Sequence, residues 1–93
     1  MRYPLICEAI TKGLALSVYY DQKSRTIEAY AYGETKEGNE ILRAWQTSPW
    51  PAEWKLFRID KIGGLLITQT KVGIARSDYN RADPVMSRIF CER

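Results

Sequence analysis

The sequence predicts a mainly β fold, a small barrel of about five short strands with a short helix at either end. Three observations lead there. Apolar residues alternate with a period of two through most of residues 14–70, the mark of half-buried strands. Polar turns interrupt that alternation at short intervals. Helical spacing of apolar residues is confined to the two ends of the chain. At 93 residues the chain holds one domain, 1–93, since no second core could be filled.

Pro4 suits the first turn of a helix, where its missing N–H costs nothing. Leu5, Ile6, Ala9 and Ile10 then recur at helical spacing, and Gly13 supplies a stop. From Leu14 the period changes: Leu14, Leu16, Val18 and Tyr20 alternate with Ala15, Ser17 and Tyr19. After the polar turn Asp21–Ser24, residues 25–33 form a second strand. Ile27, Ala29 and Ala31 mark one face, and Thr26, Glu28, Tyr30 and Tyr32 the other. Beyond the turn Lys36–Asn39, residues 40–46 place Leu42 and Ala44 opposite Ile41, Arg43 and Trp45. Ser48-Pro49-Trp50-Pro51 must break the ladder, since proline has no N–H to donate. Trp54 to Ile59 gives a fourth strand, Gly63-Gly64 a bend, and Leu65 to Thr70 a fifth. Asp83-Pro84 reads as a helix start, with Val85, Met86, Ile89 and Phe90 as its apolar stripe.

Composition narrows the function. Histidine is absent, which removes the commonest general base and any Ser-His or Cys-His pair. No glycine-rich phosphate loop occurs, so no enzyme is expected and no cofactor is implied. Cys7 and Cys91 lack metal-ligand spacing, so no metal site is expected. They read as two half-buried thiols of a cytoplasmic protein; a disulfide is the alternative if the terminal segments pack together. No signal peptide or membrane span is evident. The net charge of +3 is mild and spread along the chain, without a basic tail for unspecific capture of nucleic acid.

The arginines carry more information. Arg25, Arg43 and Arg58 fall on three consecutive strands, with Trp45 beside Arg43. An arginine within a strand must reach solvent, a carboxylate or an anionic ligand. Singly, each fits a solvated face. Together with Trp45 they suggest a shared basic-aromatic surface suited to phosphates and bases. Trp50 and Trp54 could stack on a base too, although a plug at the end of the barrel is the plainer reading.

Tyr20, the run Arg25-Thr26-Ile27-Glu28-Ala29-Tyr30, Leu42-Arg43-Ala44-Trp45, and Phe57-Arg58-Ile59-Asp60-Lys61-Ile62 follow one another in an order that resembles the WYL domain family. The resemblance covers roughly residues 14–70, and the segment from Tyr79 through Asp83-Pro84 looks like the ending of stand-alone bacterial members. The three residues that name the family fall on Glu40, Ile41 and Leu42, so only the leucine is kept. Ala29 stands for the usual proline and Lys61 for an arginine. The resemblance implies an Sm-like, SH3-type barrel and a regulatory role, sensing a nucleotide or a short nucleic-acid strand. It carries Arg25 and Arg58 over as ligand contacts, to which strand geometry adds Arg43 and Trp45. The rival expectation is a protein-interaction or homodimer module that uses exposed edge strands.

Overall fold

The computed structural model describes residues 1–93. Helix α1 (Pro4–Lys12) leads into strands β1 (Leu14–Tyr20), β2 (Lys23–Glu34), β3 (Glu40–Ser48) and β4 (Glu53–Arg58). A 3₁₀ turn at Ile59–Lys61 precedes β5 (Ile62–Lys71), and β6 (Arg88–Glu92) follows a long irregular segment. All pairings are antiparallel, in the order β4-β3-β2-β1-β5, with β6 added beside β2. No helix is long and apolar enough to cross a membrane.

The first half follows its local chemistry. Pro4 opens α1, and Gly13 ends it in the left-handed region at φ 66°, its N–H donating to the carbonyls of Ala9 and Ile10. Asp21 and Gln22 both take positive φ, the geometry that suits a tight hairpin between β1 and β2. Leu16, Val18, Ile27, Ala29, Leu42, Ala44 and Phe57 line the inner face of the bent sheet. Ile6 and Ala9 of α1 are buried against them. The helix packs chiefly on β1, β2, β5 and β6, leaving the β3–β4 end of the inner face uncovered by it.

The sheet has six strands and does not close into a barrel, because the edge strands β4 and β5 do not pair with each other. No C-terminal helix forms either. After Asp83-Pro84 a single turn is made, with the Val85 N–H donating to Asp83 Oδ1 and the Met86 N–H to the Asp83 carbonyl. The chain then extends as β6. The reason is tertiary: β1 pairs with β2 only up to Ile27, so the same edge of β2 at Ala31–Glu34 needs another partner. The Ser87 N–H donates to the Glu34 carbonyl, and the ladder continues from there.

Alternation along β2 is also broken. The pairing with β3 shifts between Ala29 and Ala31, leaving Tyr30 as the extra residue of a bulge. Tyr32 therefore joins the inner core with Ile27, while Ala31 moves to the outer cluster with Ile41 and Met86. The swap reverses the faces expected for those two residues.

The sulfurs are paired as well. Cys7 on α1 and Cys91 on β6 form a disulfide, their Cα atoms 5.7 Å apart, instead of the two thiols expected. Packing of both terminal elements on one core brings them together. Closing so long a loop stabilises a fold by about 2–5 kcal/mol.

Gly33 is the tightest point of the β2–β6 crossing. A Cβ there would lie 2.1 Å from the Arg88 carbonyl oxygen and 3.0 Å from the Ile89 Cα. Gly33→Ala is expected to destabilise the fold by about 3 kcal/mol, because backbone on both sides must move. Urea unfolding measures this, and a wild-type midpoint would refute the crossing.

Candidate functional site

The sheet separates the four side chains expected to act together. Arg25 lies on the inner face, aligned with Val18 across the β1–β2 ladder. Arg43 and Trp45 lie on the outer face, opposite Leu56 and Trp54 of β4. Arg58 ends β4, where its guanidinium pairs with Asp60 at 3.0 Å and its backbone N–H donates to the Tyr20 hydroxyl. Only the Arg58 backbone N–H reaches Tyr20: its side chain, aligned with Ile41, shares the outer face with Arg43 and Trp45, so Arg25 stands apart on the inner face.

Arg43 is committed to the fold. Its Nε sits 2.7 Å from Oδ2 of Asp83, which is 6% exposed. Burial pushes the Asp83 carboxyl up. The hydrogen bonds from Arg43 and Val85 and the Arg43 charge outweigh it, holding the group below the ordinary carboxylate range. Trp45 is covered too. The Arg76 guanidinium stacks 3.7 Å from its ring centre, and Trp54 packs edge-on at 5.3 Å. Trp54 also contacts Tyr30 and Tyr79 and donates its indole N–H to Asp78. This outer aromatic cluster roots the segment between β5 and β6. Arg76 occupies the Trp45 face on which a base would stack.

A second carboxylate network lies at the N-terminal side of α1. The Tyr32 hydroxyl donates to Glu40 and accepts the backbone N–H groups of Arg2 and Tyr3. Burial and the Glu40 carboxylate raise Tyr32 to about 12. Burial raises Glu40, but the hydrogen bonds from Tyr32 and Arg2 and the Met1 ammonium more than offset it. A cleft of about 220 Å³ opens beside this network, lined by Arg2, Gly38, Asn39, Glu40, Ile59 and Asp60. Its two carboxylates make it a poor seat for a phosphate.

Arg25 differs from the other cations. Every lysine and arginine except Arg2, Lys23, Arg25, Lys36, Lys61 and Lys71 lies within 3.9 Å of a carboxylate. Of those six, Arg25 alone is drawn partly out of solvent. Its acceptors are neutral, the Tyr20 carbonyl at 3.2 Å and Gln46 Oε1 at 3.0 Å. Its flanks are the rings of Tyr20 and Phe57, 5.6 and 6.0 Å from the guanidinium carbon. The fork is thus held rigid, and N–H groups remain for a further acceptor.

Gln46 extends the arrangement. It is buried, accepts from Arg25, and donates through Nε2 to the Pro49 carbonyl at 3.3 Å. Trp50 follows Pro49 and is 87% exposed, so it does not plug the end of the sheet. Trp50 is one of the tryptophans the sequence offers for stacking, whereas Gln46 belongs to none of the expected site residues. A glutamine at an inward position between Ala44 and the proline segment was the available signal for the second. No cluster of three or more metal-ligating side chains forms.

No protein-family model, curated protein or solved structure matches the chain. The Arg43–Asp83 pair yields a sharp expectation. A carboxylate with a lowered pKa stabilises fully above its ordinary value near pH ~4, and that contribution is lost as pH falls through the folded value. Arg43→Ala should cost about 3 kcal/mol at neutral pH by leaving Asp83 buried without its cation. The deficit should shrink below pH ~4 as Asp83 is protonated. Urea titrations across pH test this; a pH-independent deficit would mean that charge is not the cause.

Proposed function

We propose that the chain is a non-catalytic, regulatory ligand-binding module for a nucleotide or short nucleic-acid strand, with Arg25 as its anion contact. One observation carries the reading: Arg25 is the sole partly buried cation without a carboxylate partner. A guanidinium held by neutral acceptors keeps its full charge for a ligand, and its fork matches phosphate geometry. The Arg58 guanidinium faces the other side of the sheet and pairs with Asp60, whereas the exposed Trp50 offers a face for a base. Arg43 and Trp45 are left out of this site because their partners are internal. The order of residues that resembles the WYL family points to the same ligand class. We keep a cytoplasmic location as part of the proposal. The Cys7–Cys91 bond weighs against it, since disulfides persist mainly in oxidising compartments.

Tryptophan fluorescence tests the reading directly. Nucleotides and short oligonucleotides should quench it at low salt. Arg25→Lys keeps the charge but loses the fork, and should weaken binding by about tenfold. Arg88→Ala, on the exposed side of β6, should bind as wild type. Absence of quenching at millimolar ligand, or equal affinities for wild type and Arg25→Lys, would overturn it.

A second reading has its own support. The outer edge of β5 is unpaired, and Leu66 and Tyr19 beside it are 58% and 49% exposed. Such an edge accepts a strand from a second copy or another protein. Light scattering during size-exclusion chromatography should then show a dimer that Leu66→Lys dissociates. A wild-type monomer at high concentration would exclude the homodimer.

A further inference from the structure

The ion-pair pattern says how much ligand the Arg25 site can take, on the reading that Arg25 is an anion site. A polynucleotide presents a row of phosphates and needs a matching row of free cations, along with successive aromatic platforms. Neither row is complete around Arg25: Lys23 is its one free neighbouring cation on β2. Arg58 is neutralised by Asp60 at 3.0 Å, and Lys55 has Glu53 at 3.8 Å. Glu53 also faces Gln46 directly across the β3–β4 ladder, and Asp21 follows Tyr20 in the exposed turn. A second phosphate on either side of Arg25 would meet a carboxylate as readily as a cation. The aromatic side is equally limited. Trp45 and Trp54 are engaged with each other, with Arg76 and with Tyr79, so Trp50 is the one exposed indole.

We infer that the site is built for a single phosphate ester carrying one aromatic base, a nucleoside monophosphate, and not for a run of polynucleotide. The phosphate takes the free N–H groups of Arg25. The base lies on Trp50, whose loop is tied to the same guanidinium through Gln46 and the Pro49 carbonyl. Exposed Lys23, two residues before Arg25 on the same strand, supplies long-range attraction without fixing a second phosphate.

Calorimetric titration of the full chain with thymidine monophosphate, thymidine and a short oligothymidylate lacking a terminal phosphate separates the outcomes. The monophosphate should bind, with an affinity that falls only modestly with salt, because a single phosphate is screened but carries no condensed counterions to release. Thymidine should bind at least about tenfold more weakly, and the oligothymidylate no tighter than the monophosphate. Trp50→Leu, at an exposed position that leaves folding intact, should weaken the monophosphate by about tenfold. An oligothymidylate that binds more tightly, with a slope of about −2 or steeper, overturns this inference while Arg25 remains an anion site. Equal binding of thymidine and its monophosphate, or no binding of any probe, overturns both readings.

Discussion

The architecture depends on β2 serving two partners along one edge. From Lys23 to Ile27 that edge is hydrogen-bonded to β1, and from Ala31 to Glu34 to β6. The bulge at Tyr30 lies between the two stretches. It adds twist where the strand must leave one neighbour for the next. Gly33 lets the β6 backbone approach more closely than any side chain would permit. Because β6 lands there, Cys91 meets Cys7, and Phe90 packs edge-on against Tyr32. The segment between β5 and β6 must then cross the outer face, where Arg76, Tyr79, Asp83 and Met86 find their partners.

That crossing divides the chemistry between the two faces. Outside, charge is matched locally: Asp83 with Arg43, Asp78 with Arg76, Glu92 with Arg81. Such pairs hold an irregular segment in place without leaving a buried charge alone. Inside, near the end that α1 does not cover, Arg25 is met only by a carbonyl, an amide and two rings. A modest net charge of +3 therefore conceals one position where positive charge is both oriented and uncompensated.

Much of the fold was legible where local and tertiary demands agree. Pro4 and Gly13 bracket α1, and the period of two located the first three strands and most of the next two. Legibility failed where a distant partner decided the outcome. Asp83-Pro84 has every local feature of a helix start, yet the open edge of β2 recruits the following residues as a strand. The faces of Ala31 and Tyr32 depended on a bulge that no composition rule marks. For the site, Arg25 and Arg58 were legible as arginines within strands, but only the fold shows that Asp83 engages Arg43 and that Arg76 covers Trp45. Nothing local to the sequence tells a neutral acceptor from a carboxylate forty residues away.

The covalent link between α1 and β6 has a mechanical consequence. Cys7 and Cys91 are 84 positions apart, so nearly the whole sheet lies within one closed loop. Tension applied to the chain on either side of that loop passes from sulfur to sulfur, and the strands between carry none of it. While the bond is intact the ladders are shielded from pulling. Once it is reduced, the same force reaches α1 from one end and the β2–β6 ladder from the other.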